Sequence, residues 1–118
     1  MEISTRRLGK WKVLTPRDRR LDALVAQDFK TVLLSAIADG CRDLVVELSS
    51  VEFMDSAGLG ALVFCRQRMG LGGRICLAGA QLEVATLLRL THIDKVFPLC
   101  EKPECVLDKD FEPTGVTA

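Results

Sequence analysis

Apolar residues along this chain change their spacing from segment to segment, and the spacing predicts the elements. "EISTRRL" and "KWKVLTP" read as two short strands around Gly9-Lys10, a two-residue turn suited to a hairpin. Charged residues on the first would keep an edge strand from pairing with other chains. "LDALVAQDFKTVLLSAIADG" then takes helical spacing, with Leu24, Val25, Phe29, Val32, Leu33, Ala36 and Ile37 in one stripe, Asp22 as expected N-cap and Gly40 as the end. "DLVVEL" is a nearly continuous apolar run, the pattern of a strand covered on both faces. A helix follows from about Ala57 to Met69, closed by "GLGG". "RICLAG" predicts another buried strand, "QLEVATLLRLTHI" an amphipathic helix, "VFPL" a last short strand, and "KPECVLDKDF" a terminal helix with Pro in its first turn. Strands alternating with helices in this way define an α/β fold: a small, mainly parallel sheet with an added N-terminal edge strand and helices packed on it. A single domain is expected over residues 1–110. Residues 111–118, poor in large apolar groups, are expected to be a flexible tail.

Composition narrows the function classes. The chain has 118 residues, 48% of them apolar, with 16 basic and 16 acidic side chains. Zero net charge gives no pull toward nucleic acid, and no apolar run approaches the ~20 residues of a membrane span. Arg6, Arg7, Lys10, Lys12, Arg17, Arg19 and Arg20 crowd the start, but they alternate with apolar residues and have little aromatic company. They read as a solvated edge. The five cysteines form no C-x-x-C pair and have a single histidine, His92, for company, so neither zinc nor a disulfide framework is indicated. Reduced thiols in apolar runs, with no charged-then-apolar leader, point to a cytoplasmic protein.

The chemistry concentrates at one turn. Between the strand at Leu44 and the helix that follows stands Ser56, after Asp55 and before Ala57, Gly58 and Gly60. A helix N-terminus presents unpaired N–H groups and about half a positive charge, which favours an anion such as phosphate. The small neighbours would let another protein approach the hydroxyl. Each glycine lowers helix stability by roughly 1 kcal/mol relative to Ala, which close helix-on-sheet packing would also explain. A serine is equally at home as a simple helix cap. Setting Leu59, Leu62 and Val63 toward the core places Ala57, Ala61, Phe64 and Arg68 on the other side, where an outward Phe64 would suit docking.

Enzyme readings find little support. A nucleophile elbow needs G-x-S-x-G, and Met54 stands at the first glycine position. His92 is the sole candidate base and lies within a predicted helix, with no acid–base partner indicated. Neither "GLG" nor "GLGG" belongs to a phosphate-binding glycine motif. Asp22 and Asp55, in separate segments, read as caps rather than metal ligands. No cofactor is expected.

"VVELSSVEFMDSAGLGALV" resembles the signature of the STAS domain, particularly that of the bacterial anti-sigma factor antagonists: an apolar strand, "DLS" or "NLS", an apolar residue, "FMDS", a small residue, and "GLG". The similarity extends from about Ile3 to Leu107, with "RLDALVAQDF" resembling the "LD" element at the start of the first helix. It implies a β–α superhelix with an extra N-terminal strand. It also implies that Ser56 is the phosphoacceptor of a serine-kinase anti-sigma factor, that Asp55 is its acidic neighbour, and that Asp22 lies close by. The unmodified protein would capture that kinase and free a sigma factor, and a PP2C-type phosphatase would reverse the modification. Partner contact is expected at Asp22, Asp55, Ala57, Gly58, Ala61 and Phe64, by a protein that is monomeric when free, non-enzymatic and not inserted in a membrane. The alternative within the family is a non-phosphorylated soluble subunit of a lipid ABC transporter.

Two positions depart from the family pattern. Glu47 stands where Asp or Asn is usual, one methylene longer. Arg19, upstream of "LD", replaces a common Gly, which would be strained if the backbone there needs a positive φ.

Overall fold

The structure, a computed structural model, describes residues 1–108; the tail expected over 111–118 lies outside them. β1 (Ile3–Leu8) and β2 (Trp11–Pro16) pair antiparallel with Leu8 opposite Trp11, which leaves the expected two-residue turn. Gly9 takes φ 63° there, a conformation open to glycine at little cost. α1 (Ala26–Ala38) leads to β4 (Asp43–Glu47), α2 (Ser56–Met69) to β6 (Arg74–Ala78), and α3 (Leu82–Leu90) to β7 (Leu99–Cys100). These strands form one sheet in the order β1-β2-β4-β6-β7, parallel at every pairing except the first. β3 (Arg20–Leu21) and β5 (Phe53–Met54) form a separate parallel pair.

The continuous apolar runs are explained by two cores, one on each face of the sheet. Leu44, Val46, Ile75 and Leu77 point into the larger core with Phe29 and Leu33 of α1, Leu59, Leu62 and Cys65 of α2, and Val84 and Leu88 of α3. Trp11, Val13, Val45, Cys76 and Ala78 point the other way, into a smaller core closed by Val106. All three helices therefore pack on one face. The opposite face is sealed by the C-terminal segment, which forms a 3-10 turn over Pro103–Leu107 rather than the expected α-helix.

Three local expectations are corrected. α1 begins at Ala26, four residues past Asp22, with Val25 in the cap position and no side-chain cap. Asp22 instead heads the preceding turn: its Oδ1 accepts from Leu24 N at 3.1 Å, and its carbonyl from Val25 N and Ala26 N. Leu24 consequently lies in that turn, 91% exposed, rather than in the buried stripe. His92 lies beyond the end of α3, exposed, in the left-handed region at φ 60°.

Candidate functional site

The Ser56 turn is built by the β3–β5 pair. Glu52 N and Phe53 N donate to the Arg19 carbonyl at 2.7 and 3.1 Å, and Asp55 N donates to the Leu21 carbonyl at 3.3 Å. Leu21 and Met54 are buried beneath this ribbon, while Arg20 and Phe53 face out. Asp22 and Asp55 each follow the Leu21–Met54 pair by one residue, so backbone pairing brings together two acidic residues distant in sequence.

Asp55, not Ser56, caps α2. Its Oδ1 accepts from Ala57 N at 2.9 Å and Gly58 N at 3.2 Å. This cap releases Ser56, the first residue of the helix, to point outward; it is exposed, and no described residue hydrogen-bonds its hydroxyl. The amides that would have stabilised an anion at this terminus are already taken by the Asp55 carboxylate. A phosphate added to Ser56 would thus meet a negative group where the bare helix end offers a positive one.

Sequence reasoning missed Arg20. Its Nε donates to Asp22 Oδ2 at 3.1 Å, and its guanidinium stacks 4.1 Å from the Phe53 ring centroid. This hydrogen bond, with support from Leu24 N, holds the Asp22 carboxyl below its ordinary pKa. Arg20 therefore offsets the charge of Asp22, one of the two carboxylates that follow the paired strands. The signal was present as alternation, since Arg20 and Asp22 share one side of an extended segment, but two-residue strands are too short to announce themselves. Arg19 has no positive φ, so no glycine-specific conformation is imposed there; its side chain lies 3.6 Å from Glu52. Glu47 uses its length to accept from Thr15 Oγ1 at 3.0 Å and Ser49 Oγ at 3.2 Å.

The glycines of α2 separate into two kinds. A Cβ on Gly58 would press against the Leu21 carbonyl oxygen and lie 3.0 Å from Met54 Cγ, so this position must stay bare for the helix to meet the ribbon. A Cβ on Gly60 would meet nothing within 4 Å, so packing does not explain it. The face expected to be free is divided as well. Ala61 is buried and Ala57 half-buried, because α1 packs along this side of α2. Gly58 is buried too. What remains at the surface is Arg68 and Phe64, the latter 41% exposed with the Lys30 ammonium 4.6 Å from its ring centroid. Lys30, Ala57, Gly60 and Phe64 line a notch of about 210 Å³ between the two helices.

A five-stranded sheet with three helices on one face, and a capped serine turn at the start of the middle helix, defines the STAS architecture. The chain belongs to the STAS domain family, whose model matches residues 4–104. Among solved structures, it is similar to an anti-sigma factor antagonist from Mycobacterium paratuberculosis (24% identity, 90% of each chain covered, TM-score 0.82). It is also similar to an anti-sigma-factor antagonist (STAS) domain protein from Planctomyces limnophilus (23% identity, 89% of this chain and 93% of that one, TM-score 0.79). A more distant likeness is to the Bacillus cell fate determinant SpoIIAA in its phosphorylated form (15% identity, 89% and 96% covered, TM-score 0.66). At these identities the likeness is one of fold.

Proposed function

We propose that this chain is an anti-sigma factor antagonist switched by phosphorylation at Ser56. In the unmodified state it captures an anti-sigma factor that is itself a serine kinase, and a PP2C-type phosphatase restores that state. The observation that carries this reading is the exposed Ser56, left free by the Asp55 cap at the head of α2. The kinase supplies the catalysis and this chain supplies the hydroxyl. The docking surface combines Asp22, Asp55, Ala57 and Phe64 with the neighbouring Leu24 and Gly60, while buried Gly58 and Ala61 set its shape from beneath. The protein acts as a cytoplasmic monomer of one domain until it binds.

Modification works through local charge. Phosphate adds about −1.5 to −2 charges. A unit pair at 4 Å in an effective dielectric near 20 is worth ~4 kcal/mol, and a third of that changes affinity about tenfold. Because Arg20 offsets Asp22, Asp55 is the main repulsive neighbour, and a partner packed on the hydroxyl is displaced without refolding.

The test is a phosphopeptide map of the protein from its native host, with capture assays on the co-purifying kinase. Phosphate is expected on Ser56. Ser56→Ala should bind constitutively and Ser56→Asp weakly, and Phe64→Ala should lose affinity while remaining folded. Equal affinities for the two serine variants, or a map without phosphate on Ser56, would sink the reading and favour a transporter subunit.

A further inference from the structure

Three of the five cysteines, Cys76, Cys100 and Cys105, gather on the sheet face away from the helices. Cys76 of β6 is fully buried in the smaller core, and Cys100 of β7 packs against that core, half-exposed. Register places Cys100 beside Ala78, two residues along β6 from Cys76 and on the same face. Their sulfurs are 3.1 Å apart. Cys105 sits above them in the 3-10 turn that covers this face, half-buried.

We propose that Cys100 and Cys76 form a peroxide-reactive dithiol, with Cys100 as the attacking sulfur and Cys76 as the resolving one. The sulfurs already touch across a diagonal of neighbouring strands, and β7, a two-residue edge strand, is the element that shifts toward β6 to let them bond. Exposure favours the same order, since Cys100 reaches the surface and Cys76 does not. Hydrogen bonds with the Cys76 and Cys105 thiols lower the pKa of Cys100 against the opposing effect of burial, while the shared contact and burial shift Cys76 upward. Cys65, by contrast, is pushed up to about 11 by burial, and Cys41 is raised for the same reason. Reactivity follows thiolate character and access, and both assign the attacking role in this pair to Cys100.

The chemistry balances with a hydroperoxide as co-reactant. Cys100 sulfur attacks one peroxide oxygen, the O–O bond breaks, and the thiol proton passes to the leaving oxygen. This yields a sulfenic acid and an alcohol, or water when the oxidant is hydrogen peroxide. Cys76 sulfur then displaces hydroxide from Cys100, and its own proton leaves with that hydroxide as water. One peroxide is reduced and one disulfide is formed. The product ties edge strand β7 covalently to β6. It does not depend on the role proposed for Ser56.

The reduced full-length protein is exposed to one equivalent of hydrogen peroxide, alkylated, and mapped without reduction. Cleavage after Glu101 and Glu104 separates Cys100 from Cys105. A Cys76–Cys100 linked peptide is expected, with the other cysteines alkylated. Cys100→Ser should abolish the linkage, and in Cys76→Ala/Cys105→Ala a dimedone adduct should mark Cys100. The wild-type map decides even if the variants fold poorly. Five alkylated cysteines after a dose that oxidises free cysteine, or a link between a different pair, would overturn the proposal.

Discussion

Gly58 and Gly60 lie two residues apart in the same helix, and replacing each by alanine should move stability in opposite directions. In both variants the propensity gain is about 0.5–1 kcal/mol. At Gly60 nothing opposes it, because the added carbon meets no atom within 4 Å. At Gly58 the carbon is driven into the Leu21 carbonyl and 3.0 Å from Met54 Cγ. That carbonyl is main chain, and it accepts the 3.3 Å bond from Asp55 N, so it cannot retreat without opening the ribbon. Overpacking of this kind costs about 1–3 kcal/mol. Gly58→Ala should therefore lose ~1–2 kcal/mol net and Gly60→Ala gain up to ~1. Urea denaturation followed by circular dichroism would read this directly. At roughly 4 °C per kcal/mol, the two melting temperatures should differ by about 10 °C. Equal stabilities would refute the reasoning, as would a Gly58→Ala protein at least as stable as the parent.

Asp55→Ala removes the cap and should lower stability by about 1 kcal/mol, with Asp55→Asn retaining most of it and faster hydrogen exchange at Ala57 and Gly58 in the alanine variant alone. Asp22 should titrate below the 3.8 ordinary for aspartate, and Arg20→Ala should move it up. A depressed folded-state pKa makes the Arg20–Asp22 contribution present above about 3.8 and lost as pH falls through the folded value. Carbon-13 NMR of the carboxyl checks both statements, and an Asp22 that titrates at or above 3.8 in the parent would contradict them.

The central strands were legible because each alternates between two apolar cores: "DLVVEL" and "RICLAG" begin where β4 and β6 begin and run one residue past their ends. The last strand is Leu99–Cys100 rather than "VFPL", because a two-residue edge strand carries no such alternation, and β3 and β5 were missed for the same reason. α2 was legible to within a residue at its start. The start of α1 was not: Leu24 is apolar and in phase with the stripe, yet the Asp22 turn holds it outside. Helical phase alone also could not divide the exposed face of α2, since the burial of Ala61 comes from α1 crossing it. Ser56 as the exposed residue and Asp55 beside it were visible in the motif. Which of them caps the helix was settled only by where the carboxylate points, and the Arg20 and cysteine contacts are tertiary juxtapositions that no local spacing encodes.

The ribbon beneath the serine turn is held by main-chain bonds from Glu52, Phe53 and Asp55 to the carbonyls of Arg19 and Leu21. Its outward side chains, Glu52 and Phe53, take no part in those main-chain bonds. Substitution of Glu52 or Phe53 would therefore repaint the surface around the serine without moving the backbone that presents it.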